Sequence, residues 1–87
     1  MKYALIVIED VEAQPSNLER ESMRQTLEGA AGIAVNTESL SMLNQGTFLL
    51  ALEGGLHPLA RLVDLAVQRG IRIRTLFFDQ EPSWIVS

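Results

Sequence analysis

Apolar and polar positions along this chain follow two rhythms, one of strands and one of helices. Tyr3-Ala-Leu-Ile-Val-Ile8 is a continuous apolar run, rich in β-branched residues and stopped by acids and then Pro15. A run this short reads as a central strand, apolar on both faces. Ser16-Asn-Leu-Glu19 then fits a capping box. The Ser16 hydroxyl accepts from an early helix N–H, while Glu19 reaches back to the cap. The spacing predicts a helix from Asn17 to Glu28, with Leu18, Met23, Leu27 and Ala30 as its apolar stripe. Gly29 and Gly32 are expected to stop it.

Gly32 to Thr37 reads as a weaker, more polar strand at a sheet edge. Glu38 to Gly46 admits two readings: a hairpin closed by Asn44-Gln-Gly46, or a helical turn. Phe48-Leu-Leu-Ala-Leu52 predicts a second central strand, and Gly54-Gly55 breaks the chain after it. Pro58 suits the first turn of a helix, where its missing N–H costs nothing. Leu59, Leu62, Val63 and Ala66 keep the 3.6-residue period, and Gly70 is placed to cap the C-terminus. In the last strand, Ile71 to Phe78, the alternation sets Ile71, Ile73, Thr75 and Phe77 on one side. Arg72, Arg74, Leu76 and Phe78 take the other.

The order βαββαβ predicts an α+β, ferredoxin-like sandwich filling residues 1–87 as one domain, with residues 79–87 as an apolar C-terminal tail. Its four-stranded antiparallel sheet has the order 4-1-3-2, and both helices cover one face. Strands one and three are nevertheless expected to run as parallel neighbours. That placement gathers Glu9, Asp10, Glu12, Glu53 and His57 at one sheet edge.

Composition narrows the function classes. With 87 residues, 47% of them hydrophobic, the chain is one globular domain with a small core. It has no cysteine, which removes disulfides and thiolate chemistry. The Tyr3–Ile8 run is shorter than a signal-peptide core, and no stretch approaches the ~20 apolar residues of a membrane span. A soluble, cytoplasmic protein is the expectation, with no membrane partner. A net charge of −4 argues against nucleic acid, because backbone binding needs clustered Lys and Arg. Arg61, Arg69, Arg72 and Arg74 do fall close together, while acids dominate the first half. A dipolar surface of that kind favours self-association or an acidic partner.

The helix-free sheet face carries the leading expectation. Strands one and three are apolar on both faces, and Leu76 and Phe78 join Arg74 on one side of strand four. An apolar face requires a cover: the Trp84-Ile-Val86 tail or a second copy. The sequence therefore predicts a non-catalytic interaction or regulatory module acting as a homo-oligomer, most simply a dimer, without a cofactor. A different protein partner is compatible with the same surface. Its interface residues are Leu76, Phe78, Arg74, Trp84 and Ile85.

Two other chemistries are written in the chain. Glu9, Asp10 and Glu53 form an oxygen-rich set suited to Mg²⁺ or Mn²⁺, with Asp10 central to a metal-dependent phosphodiesterase. Gly54, Gly55 and His57, at a helix N-terminus, offer N–H groups to a small anion. They lack the Lys-Ser/Thr ending of a phosphate-binding loop and the dinucleotide fingerprint. Five serines are named by position, Ser16, Ser22, Ser39, Ser41 and Ser83, but His57 is the one histidine available to activate any of them.

A hydrophobic first strand ending in Asp10 and followed by βαβ units resembles the small endonuclease-like proteins of CRISPR adaptation. The resemblance implies ferredoxin-like dimers with Asp10 as the metal-facing acid. It departs from that family near the second strand, where Asn36-Thr-Glu-Ser39 stands in place of a Ser–aromatic signature. The opening Met1-Lys-Tyr-Ala resembles small dimeric α/β-barrel proteins with a His–Asp pair, but His57 and Asp64 are not at the matching places. No Cys-x-x-Cys, aromatic ribonucleoprotein motif or acylphosphatase loop is present, and the chain is assigned to no family.

Overall fold

The computed structural model describes residues 2–9 and 17–80, together with Ser83 and Ile85; for residues 17–19 only the backbone is described. The elements are β1 (Tyr3–Glu9), α1 (Asn17–Val35), β2 (Leu40–Asn44), β3 (Thr47–Ala51), a 3₁₀ turn (Leu52–Gly54), α2 (His57–Gln68) and β4 (Arg72–Phe78). The strands form one sheet in the order β2-β3-β1-β4, which is 4-1-3-2 read from the other edge. Every neighbouring pair is antiparallel.

Strict alternation along β1 decides where the core lies. Ala4, Ile6 and Ile8 are buried, while Tyr3, Leu5, Val7 and Glu9 are half-buried. Register carries the same division across the sheet. Ile6 stands opposite buried Phe48, and Ala4 opposite buried Leu50. These side chains form one cluster with Ala30 of α1 and Leu62 of α2, so both helices pack on that face. Phe48, Ile6, Leu50 and Leu62 are the largest fully buried apolar side chains. Each contributes about 1.5–3 kcal/mol by leaving water.

The first helix corrects one sequence expectation. It runs seven residues beyond Glu28, through both glycines, to Val35. Gly29 lies where α1 meets α2: a Cβ there would stand 3.0 Å from Leu65 Cδ2. A glycine inside a helix costs only about 1 kcal/mol. Burial of Ala30 and the packing of Ile33 and Ala34 outweigh that cost. Thr26 is also buried there, with its hydroxyl donating to the Ser22 carbonyl at 2.8 Å. The strand expected over residues 32–37 is therefore the end of α1 and a turn, and the second strand begins at Leu40. The capping residue Ser16 lies outside the described residues.

Elsewhere local chemistry decided the outcome. Between residues 38 and 46 the hairpin reading holds: β2 and β3 pair antiparallel around Gln45-Gly46. Gly46 has φ +90, which a glycine adopts freely, and its carbonyl accepts from the Ile8 N–H at 2.8 Å. At the end of α2, Gly70 takes φ +68 beyond the Arg69 cap. The Gly70 N–H donates to Val67 O and the Ile71 N–H to Ala66 O, the paired bonds of a Schellman cap. On the outer face of α1, Arg24 pairs with Glu21 and, at 2.5 Å, with Glu28. The hydrogen bond from the Arg24 guanidinium holds the Glu21 carboxyl below its ordinary range, in an exposed pair that adds little stability.

These glycines yield opposed expectations. Gly32 is exposed in α1 with open space where a Cβ would stand, so Gly32→Ala should stabilise by about 0.5–1 kcal/mol. At Gly46 a Cβ would stand 3.3 Å from both Ile8 O and Leu27 Cδ2, with a positive φ as well. Gly46→Ala should destabilise by more than about 1 kcal/mol. Urea denaturation midpoints of the two variants against wild type read both signs.

Candidate functional site

The helix-free face of the sheet is built from the other half of each alternation. β1 supplies Tyr3, Leu5, Val7 and Glu9, and β3 supplies Thr47, Leu49 and Ala51. β4 supplies Arg72, Arg74, Leu76 and Phe78, as the alternation predicted. Register arranges them in rows across the strands. Ala51, Tyr3 and Phe78 form one row; Leu49, Leu5 and Leu76 form the next. Thr47, Val7 and Arg74 come third, and Glu9 with Arg72 closes the sheet at its far end. The Tyr3 and Phe78 rings stack, with centroids 5.7 Å apart and planes inclined by 19°.

Two apolar rows thus lie side by side with polar groups at one end. Leu76, on the edge strand β4, is 62% exposed. A shallow groove runs beside it between β1 and β4, over Leu5 and Val7 to Glu9 and Arg74. Arg74 closes that groove by donating from Nη1 to Glu9 Oε1 at 3.0 Å. Among the described residues no helix covers this face. In the tail, Ile85 is 96% exposed, so it does not cover the face either. Trp84 lies outside the described residues.

The basic stretch read from the sequence divides between the two sides of the protein. Arg72 and Arg74 stand on the open face. Arg69 lies beyond α2 and donates to Gln25 Oε1 on α1. Arg61 is exposed on α2. Sequence proximity therefore does not make one patch of four arginines.

The expected parallel pairing of strands one and three is overturned, and the acidic cluster with it. β1 runs antiparallel to β3, pairing Tyr3 with Ala51 and Val7 with Thr47. Glu9 leaves the sheet at one end, and Glu53 follows β3 at the other. At ~3.3 Å per residue the length of β1 separates them by about 20 Å. One ion cannot be held by both. His57 opens α2 on the Glu53 side. Asp10 and Glu12 lie outside the described residues, and among the described residues no three potential ligands gather around a metal position.

At the other candidate site, the turn satisfies the Gly55 donor internally. The Gly55 N–H donates to Leu52 O at 2.9 Å, and the Ala60 N–H to Leu56 O at 3.0 Å. Pro58 has no N–H, and Gly54 packs its α-carbon beside the Ser39 side chain. Gly54, Gly55 and His57 are neighbours at the start of α2. The nearby depressions are lined instead by Lys2, Tyr3, Ala51, Leu52 and Glu53, and by Glu38, Ser39, Ala51, Glu53 and Gly54.

No family model, curated protein or solved structure matches this chain. The site therefore speaks through its own geometry. No helix among the described residues is long and apolar enough to cross a membrane.

The separation of Glu9 from Glu53 makes a definite expectation for metal. Thermal unfolding with and without millimolar Mn²⁺, on wild type and Asp10→Asn, should show no shift that depends on Asp10. A rise in Tm lost on Asp10→Asn would establish a metal centre at the end of β1, because a ligand that prefers the native state raises its apparent stability.

Proposed function

We propose that this protein is a non-catalytic interaction module, ferredoxin-like in its chain order, which works as a homo-oligomer through its open sheet face. The observation carrying this reading is the pair of apolar rows, Ala51–Tyr3–Phe78 and Leu49–Leu5–Leu76, which no described helix covers, with Leu76 protruding on the edge strand β4. An antiparallel sheet tolerates water on one face when that face is polar. Here it is apolar at seven positions, Val7 and the six of the two rows, which is the signature of a surface meant to be covered.

Size sets the strength of the association. Four strands ~4.8 Å apart and five to seven residues long present roughly 300 Å² of sheet. A standard interface buries ~800 Å² per partner. The sheet alone accordingly supports a dimer that dissociates on dilution. The tail, with Trp84, Ile85 and Val86, adds apolar area where the chain leaves β4. The cytoplasmic setting and the extent of the domain over residues 1–87 rest on the sequence pattern.

Light scattering behind a sizing column, over a wide concentration range, tests the reading. Wild type should pass from monomer to dimer as concentration rises. Leu76 occurs twice in a symmetric dimer, so Leu76→Asp should cost about 3–6 kcal/mol and weaken the dimer roughly 10²–10⁴-fold. Because the side chain is mostly exposed, the variant should melt within a few degrees of wild type. A wild-type chain that stays monomeric at every concentration would overturn the proposal.

A further inference from the structure

The β4 edge of the sheet is the one a further strand can join. β4 runs from Arg72 to Phe78, paired with β1 on one side and, among the described residues, with no strand on the other. Along an antiparallel strand, successive residues turn their backbone groups to opposite neighbours. The even-numbered residues of β1 face β3, as the Ile8 N–H does in donating to Gly46 O. Its odd-numbered residues therefore face β4, where register sets Leu5 opposite Leu76 and Val7 opposite Arg74. The N–H and C=O groups of Ile73, Thr75 and Phe77 are left pointing out of the edge. Side chains here are exposed on both sides of the sheet at once. Leu76 is exposed on the open face, and Phe77, opposite buried Ala4, is 38% exposed on the helix side. A molecule laid on the open face covers Leu76 and leaves Phe77 in water, whereas a strand added in the plane of the sheet flanks both. At the other edge Met42 and Leu43 are exposed too. There β2 pairs irregularly with β3 between Met42 and Asn44, and a bulge turns an edge away from further pairing.

We infer that β4 of one copy pairs antiparallel with β4 of a second, about a two-fold axis at Thr75, so that the two sheets become one. The inference goes beyond open-face association and uses a different surface. In a symmetric pair the same patch is used twice, so the register must be complementary to itself. Thr75 is the midpoint of Arg72–Phe78, and an axis there pairs the whole strand. Thr75 meets Thr75, Ile73 meets Phe77, Arg74 meets Leu76 and Arg72 meets Phe78. The outward backbone groups then close roughly six hydrogen bonds. An axis at Arg74 sets arginine directly on arginine, which destabilises, and leaves Phe77 beyond the paired length. An axis at Leu76 carries Ile73 past the end of the partner's strand at Phe78. In the Thr75 register Phe77 lies beside the partner's Ile73, a position that packs against the core of its own copy. Leu76 lies beside the apolar stem of the partner's Arg74, while each Arg74 guanidinium stays with Glu9 of its own copy. Main-chain bonds supply the attraction, and the side chains fix the register.

Disulfide trapping tests the inference and separates it from the broader proposal. The chain has no cysteine, so a single introduced thiol reports only contacts between copies. Residues opposed in a hydrogen-bonded antiparallel pair have Cα atoms ~5.5 Å apart, within reach of a disulfide. Arg61→Cys, at an exposed site on α2, gives the rate of collisional crosslinking. Under mild oxidation Thr75→Cys should form a linked dimer at least about tenfold faster than that background, because pairing raises the local thiol concentration. Leu5→Cys reads the other surface: in an edge pair Leu5 lies three strand spacings, ~14 Å, from its counterpart, too far to be bridged. Phe77→Pro, added to Thr75→Cys, removes an outward N–H that no bond within the copy uses. It should return crosslinking to background, and circular dichroism and thermal melts establish that each variant folds. Thr75→Cys crosslinking at the background rate overturns the inference, whether the edge stays open or this chain's own residues beyond Gln80 hold it. Fast crosslinking of Leu5→Cys in that case leaves open-face pairing standing. A folded Phe77→Pro variant that crosslinks at the full rate overturns the inference as well. Fast Thr75→Cys with Leu5→Cys at background establishes edge pairing and removes open-face pairing.

Discussion

The structure depends on the double pairing of β1. This strand lies inside the sheet, hydrogen-bonded to β3 on one side and to β4 on the other. Its even-numbered residues hold the core, and its odd-numbered residues hold the open face. A slip of one residue would exchange the two sets, putting Glu9 into the core and Ile6 into water. The register is guarded by what lies opposite: Phe48 and Leu50 on β3 are fully buried beside Ile6 and Ala4. For a chain of this size the whole margin of stability is about 4–13 kcal/mol, by the usual 0.05–0.15 kcal/mol per residue. Four large buried side chains contribute an amount of the same order. The core is small, and no disulfide reinforces it.

The same pairing distributes the charges. Antiparallel neighbours exchange their ends, so the acid that follows β3 cannot join the acid that ends β1. What reads in the sequence as an acidic neighbourhood becomes two separate rims on opposite ends of one sheet. The basic stretch divides as well, because a turn at Gly70 sends Arg69 to the helix side and Arg72 to the sheet side. The first division removes a shared site for Glu9 and Glu53, and the second separates Arg69 from Arg72.

The two edges of the sheet differ in how they would meet another strand. β2 is short, and its pairing with β3 is irregular between Met42 and Asn44. A bulge at an edge twists it away from further strand pairing. β4 has no such irregularity over its seven residues, but its arginines discourage the approach of an identical edge in parallel register. The face lacks comparable defences. Leu76 stands exposed on the edge strand beside half-buried Leu5, with no charge in its row.

The elements that carry local chemical signals were legible in the chain itself. The apolar runs of β1 and β3, the period of α2, the Gly70 cap and the Gly46 hairpin all follow from side-chain spacing and backbone freedom. So does the division of β4 into an arginine side and an isoleucine side, because alternation is a property of one strand alone. The length of α1 was not legible, since Gly29 signals a stop locally and only the packing of Ala30, Ile33 and Ala34 against the core explains a continued helix. The partners of Glu9 and Glu53 were not legible either. Strand direction belongs to a pair of strands, and no single stretch of sequence contains it. The sequence by itself therefore determined which segments are strands and helices and which side of each is apolar. Only the tertiary structure decided which ends meet, because pairing is settled by burying two apolar surfaces against each other at once.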